Sequence, residues 1–251
     1  MLIKKHIFQT ARNFDGLSDD YKKNIAHLKA LNPSWSYRFF NDEEVRAYIR
    51  ANVSPEEWAL VQQINPKYGV VLADIFRYLV IANEGGVYLD IKSTALRPLD
   101  EIIPADAQYL ISQWPNKLGQ RFRGFGLHPE LTRVAGGEFQ QWHVIGSKGH
   151  PFLKAVLNRV FENLRNYTPK SVGTDAYGVL RLSGPIAYTK AIFPLLEACP
   201  HTVVDPDQIG LRYSIYEETA DIRKHEKHAQ HYSLIKEPIV LKDVYVEPPV
   251  P

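Results

Sequence analysis

The stretch that decides the fold is Val71–Asp100, VLADIFRYLVIANEGGVYLDIKSTALRPLD. Val71, Ile75, Leu79 and Ala82 recur at helical spacing and give one apolar side to a helix predicted over 66–84. Gly85-Gly86 ends that helix, because glycine takes the left-handed backbone of a cap without a Cβ penalty. Val87-Tyr88-Leu89 then reads as a buried strand, predicted over 87–91, with Asp90 at its carboxyl end. In open α/β sheets, ligands bind outside the carboxyl ends of the strands. An acid at that place is positioned to hold a metal or a sugar nucleotide.

The flanking sequence extends the same alternation of strands and helices. Residues 2–10 read as a buried first strand. Ser18 and Asp19 suit the start of a helix over 18–31, where Tyr21, Ile25, Leu28 and Leu31 fall at helical spacing. Trp35–Phe40 alternates aromatic and polar residues and reads as a second strand. Asp42 is expected to cap a helix over 43–50, and Pro55 fits the first turn of another over 54–62. Beyond the central unit, Leu96–Leu99 reads as extended, 108–113 as a strand, Gly-rich 116–138 as irregular and 141–147 as a strand. An amphipathic helix over 151–166, a helix near 186–197 and a short strand over 202–205 follow. These elements predict an α/β layer architecture. No repeat or long linker divides the chain, so one domain is expected over 1–247, with a mobile Pro-rich tail at 248–251.

The totals exclude several classes. A chain of 251 residues can bury a full core, and 45% apolar with 23% charged residues is ordinary globular composition. A net charge of +2 gives no argument for nucleic acid as a partner. The single cysteine, Cys199, excludes an intramolecular disulfide, reads as buried and inert, and suits a reducing, cytoplasmic setting. The apolar run after Lys4 and Lys5 is too short for a secretory signal, and no stretch has the length of a membrane span. Work on a membrane-bound acceptor would therefore require peripheral association. There is no G-x-G-x-x-G after a strand, no Walker loop and no G-x-S-x-G elbow.

Ala73, Asp74, Arg77, Tyr78, Gly85, Gly86, Tyr88 and Asp90 together resemble the core of the D-x-D sugar-binding glycosyltransferases. That group includes yeast mannosyltransferases, bacterial capsular sugar transferases and, more remotely, the glucosylating clostridial toxins. Its pattern runs Ser/Ala-Asp-x-x-Arg-Tyr, then Gly-Gly-x-Tyr-x-Asp-x-Asp. Lys4–Thr10 is similar to the family's opening strand and Asn32–Asp42 to its second strand and turn. Gly149–Phe152 and Ser183-Gly184-Pro185 match later landmarks loosely. The resemblance implies a glycosyltransferase A-type fold, with a Rossmann-like nucleotide half over about 1–112 and an acceptor half over about 113–247. It implies hexosyl transfer from a nucleotide sugar, a UDP-hexose first and GDP-mannose second. The acceptor would be a carbohydrate of a capsule, a lipopolysaccharide or another glycan. Retention of configuration and a divalent metal, Mn or Mg, are also implied.

In the family pattern, Asp90 contacts ribose and metal, and Asp74 with Arg77 reaches the donor sugar hydroxyls. On spacing alone, Asp74 and Arg77 read as a surface (i, i+3) ion pair. Tyr78, Tyr88 and Lys92 are expected along the donor. Phe8, Gln9 and Thr10 end the first strand, where base and ribose would lie; Phe8 reads equally as a stacking ring and as core.

Lys92 is the departure, because it stands where the family has its second acid. It leaves three readings open: a metal held by Asp90 with other ligands, an ammonium that replaces part of the metal's charge, or a site without activity. His231 and Ser233 resemble the late segment that contacts metal or diphosphate, with His225 and His228 as weaker candidates.

On the acceptor side, Trp114, Phe125 and Trp142 are suited to stack on sugar rings. Arg121 and Arg123 suit an acidic sugar or a lipid-linked phosphate, and Glu138 an acceptor hydroxyl. No residue is marked as a nucleophile, which favours a front-face route. The rival readings are a non-catalytic sugar- or nucleotide-binding module and an enzyme that modifies protein hydroxyls.

Overall fold

The structure is a computed structural model that describes residues 2–216 and 235–242. In chain order the strands are β1 (His6–Thr10), β2 (Ser36–Phe40), β3 (Gly86–Leu89), β4 (Thr94–Ala95), β5 (Tyr109–Ile111), β6 (His143–Gly146), β7 (Thr202–Val203) and β8 (Leu211–Arg212). The helices are α1 (Asp19–Leu31), α2 (Asp42–Asn52), α3 (Pro55–Gln62), α4 (Gly69–Glu84), α5 (Leu99–Ile102), α6 (Pro151–Arg165), α7 (Pro169–Val172), α8 (Ala176–Leu182), α9 (Pro185–Ile192) and α10 (Pro206–Ile209).

Six strands form one mixed sheet in the order β2-β1-β3-β6-β5-β7, and β4 pairs with β8 in a separate ribbon. β1 runs parallel to β2 and to β3, with Phe8 opposite Tyr88 and Thr10 opposite Phe40. β6 lies antiparallel to β3, with Leu89 opposite His143. The start of β6 therefore meets the carboxyl end of β3, which brings Gln141 and Trp142 beside Asp90.

The strand pleat sorts side chains between two cores, since alternate residues face opposite sides. Phe8, Tyr88 and Val144 join α4 and α6 on one side, with Phe76, Tyr78, Val156 and Val160. Ile7, Val87, Leu89 and Ile145 pack on the other with Leu28 and Trp35. α4 buries every residue from Asp74 to Ile81, charged side chains included, because it also packs against α2, α6 and β6.

The Gly85-Gly86 turn is a matter of space as well as conformation. Both residues have positive φ, 71° and 125°. A Cβ on Gly85 would lie 2.8 Å from the Lys148 backbone nitrogen, and one on Gly86 2.7 Å from the His6 carbonyl oxygen.

Local signals differ from expectation in a few places. Asn41, not Asp42, caps α2: its side chain accepts from the Glu44 amide while the Glu44 carboxylate takes the Asn41 amide, a reciprocal capping box. The extended stretch expected over 96–99 is instead β4 at Thr94–Ala95 followed by the helical turn α5. The helix expected to 197 ends as α9 at Ile192, with a 3-10 turn over Phe193–Leu195, because Pro194 removes a helical donor. α7 and α8 were not foreseen, being too short to display a helical period. Cys199 is half-buried against the core. No described helix is long and apolar enough to cross a membrane.

Candidate active site

Asp90 follows β3 directly and is held by its backbone. Its amide donates to the Trp142 carbonyl at 2.8 Å, and its carbonyl accepts from Gln9 Nε2 at 3.1 Å. Gln9 is fully buried and is itself fixed by the Tyr37 hydroxyl at 3.0 Å. The Arg77 guanidinium bridges the two acids, 3.1 Å from Asp90 Oδ1 and 3.4 Å from Asp74 Oδ1. It also donates to the Gln141 carbonyl at 2.8 Å and lies 4.8 Å from the centroid of the Tyr88 ring. Asp74 accepts further bonds from the Ser183 hydroxyl at 2.7 Å and the Gln141 side-chain amide at 3.3 Å.

Asp74 is 1% exposed and Arg77 5%, so the reading of a solvated surface pair is overturned. Burial raises the Asp74 carboxyl above the usual range, opposed by Arg77 and Ser183. Burial also works against the Arg77 charge, but Asp90 foremost, with Tyr88 and Asp74, holds the guanidinium firmly protonated.

Lys92 points into the same place. Its ammonium donates to the Tyr213 hydroxyl at 2.9 Å and lies 3.8 Å from Asp90 Oδ2. Burial favours the neutral amine, but Tyr213 and Asp90 outweigh it and raise the Lys92 pKa.

Asp74, Arg77, Asp90 and Lys92 line one wall of a cavity of about 400 Å³. Trp114, Phe125, His128, Glu138, Trp142 and Tyr213 form much of the rest. Glu138 is pinned there, accepting from Trp114 Nε1 at 2.7 Å and lying 2.6 Å from His128 Nε2. The Trp114 ring packs against Phe122, Phe125 and Tyr213. Of the expected residues, Asp74, Arg77, Asp90 and Lys92 thus share one space with Trp114, Phe125, Glu138 and Trp142.

Several sites differ from expectation. Phe8 is 1% exposed, with its ring against Phe40 in the core, which corrects the idea that it stacks on a base. Thr10 is buried and spends its hydroxyl on the Phe40 carbonyl at 2.8 Å. Gln9, Tyr78 and Tyr88 stand behind the cavity as supports. The Tyr78 hydroxyl shares its one proton between the Gln141 side-chain oxygen and the Ser183 carbonyl, and the Tyr88 hydroxyl donates to Asp90 Oδ1 at 3.3 Å. Arg121 and Arg123 are exposed and lie outside the cavity lining. His225, His228, His231 and Ser233, and the tail 248–251, lie outside the described residues. Gln141, His128 and Tyr213 were not foreseen as site residues; no spacing rule marks them, because the sheet order brings in Gln141, the 113–142 loop His128, and the segment after β8 Tyr213.

The donor set does not fit the two-acid metal site that the family pattern implies. Among the described residues, no group of three or more His, Cys, Asp or Glu side chains is arranged to hold an ion. Asp90 has a guanidinium on one oxygen and an ammonium near the other.

The mixed sheet, with an acid at the carboxyl end of β3 and a buried Asp–Arg pair on the helix before it, has the glycosyltransferase A-type fold. Solved structures share this fold. The PaToxG glycosyltransferase superimposes with a TM-score of 0.55 at 17% identity, over 78% of this chain and 70% of that one. The UDP-bound glycosyltransferase domain of the YGT toxin gives 0.50 at 9% identity, over 87% and 82%. Residues 18–109 match the family described as glycosyltransferase sugar-binding region containing DXD motif, and Asp90-Ile91-Lys92 lies within the matched stretch.

The initiation-specific alpha-1,6-mannosyltransferase of Schizosaccharomyces pombe is 26% identical over 208 residues, 77% of this chain and 49% of that protein. Its Candida albicans counterpart is 27% identical over 177 residues, 64% of this chain and 44% of that protein. The chain thus spans about half the length of these curated relatives.

Proposed function

We propose that this protein transfers a hexosyl group from a nucleotide sugar to a carbohydrate acceptor. The observation that carries the reading is the convergence of Asp74, Arg77, Asp90 and Lys92 on one cavity whose lining also includes Trp114, Phe125, Trp142 and Tyr213. In this reading, residues up to about 112 supply the donor side and those from 113 onward the acceptor side. The mannosyltransferase relatives support mannose as the sugar, so GDP-mannose and UDP-hexoses are the donors to compare.

The chemistry follows from the charges. Arg77, fixed by four oxygen partners and a ring face, orients sugar hydroxyls together with Asp74; such positioning is worth several kcal/mol of barrier. The bond from C1 to the diphosphate breaks, and the acceptor oxygen bonds to C1 on the same face, with retention. The acceptor proton passes to the departing phosphate oxygen, which is why no nucleophilic side chain is needed. Fixed positive charge beside the leaving group stabilises its developing charge. Phe125 and Trp114 offer apolar ring surface to the acceptor, Trp142 is 4% exposed and packs in the core behind them, and the Glu138–His128 pair offers polar edges to acceptor hydroxyls.

A peripheral membrane attachment belongs to the same proposal. The loop over 117–127 exposes Leu118, Phe125 and Leu127 beside Lys117, Arg121 and Arg123 at the cavity rim, and it contains no acidic residue. That combination suits an anionic lipid surface.

The test is a thermal-shift panel of UDP- and GDP-sugars followed by assay of released nucleotide. A specific donor stabilises the fold by mass action and yields free UDP or GDP; a panel with no shift and no release contradicts the reading. The second reading, a non-catalytic binding module, is favoured by Lys92 at the motif's second acid. It predicts stabilisation without release.

A further inference from the structure

We propose that the Lys92 ammonium occupies the role that a divalent cation has in the two-acid form of this site, so that donor binding and diphosphate departure here need no metal. The inference rests on the sugar-nucleotide reading of the cavity. A leaving diphosphate needs compensating positive charge, and a fixed ammonium supplies part of what a metal ion would, with the Arg77 guanidinium beside it on Asp90.

The geometry shows a lysine built into place. The Lys92 side chain is 16% exposed, and its Nζ sits 4.2 Å from the centroid of the Tyr213 ring. The segment that carries Tyr213 is tied to the lysine's own backbone: Ile215 donates to the Lys92 carbonyl at 2.8 Å, and the Ser93 hydroxyl to the Tyr213 carbonyl at 2.7 Å. A solvated lysine would need none of this.

The carboxylates tell the same story from the other side. Mg takes oxygen ligands at about 2.0–2.1 Å in near-octahedral geometry, and Mn also favours a set of several oxygen ligands. Among the described residues, three acids line the cavity, and each is already engaged. Asp74 is enclosed by Arg77, Ser183 and Gln141, and Glu138 by Trp114 and His128. Asp90 Oδ1 holds Arg77 and the Tyr88 hydroxyl, and its Oδ2 faces the ammonium at 3.8 Å. An ion bound to that oxygen would lie against two like charges at close range.

The experiment uses the full chain with UDP-glucose and GDP-mannose as probes. Donor affinity is measured by calorimetry and nucleotide release by assay, each in chelator and in Mn²⁺; bound manganese is counted by electron paramagnetic resonance. The wild type should bind and release equally, within twofold, in both conditions and hold no stoichiometric manganese. Lys92→Met should lose at least tenfold in donor affinity, and Lys92→Arg should keep chelator-resistant binding. Lys92→Asp, which restores the two-acid motif, should bind donor in Mn²⁺ and lose it in chelator. Melting curves of each variant confirm the fold. Wild-type binding that disappears in chelator and returns with Mn²⁺ overturns the inference and leaves the functional reading intact, as does undiminished binding by Lys92→Met. Failure of both donors to bind under every condition overturns the functional reading itself, and this inference with it.

Discussion

Replacing Arg77 with methionine tests the cradle through stability, without reference to any substrate. The substitution keeps an unbranched apolar stem and removes the guanidinium. It deletes bonds to the Gln141 carbonyl at 2.8 Å and the Ala73 carbonyl at 3.4 Å, and both carboxylate contacts. Asp90 retains Lys92 at 3.8 Å, but Asp74 keeps only the neutral donors Ser183 and Gln141. Breaking a buried pair by removing one partner costs about 3–5 kcal/mol, and Lys92 does not relieve Asp74, so that range applies at pH 8. The pH dependence has a definite sign. Burial already raises the Asp74 carboxyl, and loss of Arg77 raises it further. An acid with a raised folded pKa binds protons more readily in the fold than in the unfolded chain. Stability therefore falls as pH rises from the ordinary carboxylate range through the folded value. The deficit of Arg77→Met is largest at pH 8 and shrinks toward pH 4. Adding Asp74→Asn to Arg77→Met should recover part of it. Urea unfolding of the three proteins at both pH values is the assay. A deficit below about 1 kcal/mol at pH 8, or one that does not change with pH, refutes the reasoning.

Three further outcomes are expected. Burial pulls the His143 imidazole down to about 3, so the fold loses stability as pH drops below about 6.5. The loss is about 2 kcal/mol by pH 5, and His143→Gln should flatten that slope in urea titrations; equal slopes contradict it. Gly126 has φ of 70°, and a Cβ there would lie 2.6 Å from Glu138 Cγ; Gly126→Ala should cost at least about 1–2 kcal/mol by chemical denaturation, and an unchanged midpoint would count against the packed 113–142 loop. Vesicles containing phosphatidylserine should float the protein at low salt and release it at high salt; Leu118→Ser with Leu127→Ser should abolish flotation, and binding indifferent to salt and to both changes would exclude the loop.

The central unit was legible because its signals are local. The helical spacing from Val71, the Gly-Gly stop and the acid after an apolar strand lie within one short stretch, and each appears in the structure where it was expected. What stayed hidden depends on sheet order. Nothing in the sequence says that β6 runs antiparallel to β3, yet that pairing sets Gln141 and Trp142 against Asp90. Strand alternation shows that Phe8 and Gln9 face opposite ways but not which side holds α4, so Phe8 read equally as stacking ring and core. Lys92 was visible as a departure; its direction was not, because Tyr213 arrives from a distant segment whose short strand has no readable period.

The most direct measurement is a crystal structure with a bound nucleotide sugar. The account predicts the diphosphate against Lys92 at the Asp90 rim, and hexose hydroxyls hydrogen-bonded to Arg77 and Asp74. Donor density outside this cavity, or inside it with the Lys92 ammonium turned away from the phosphates, would contradict the account.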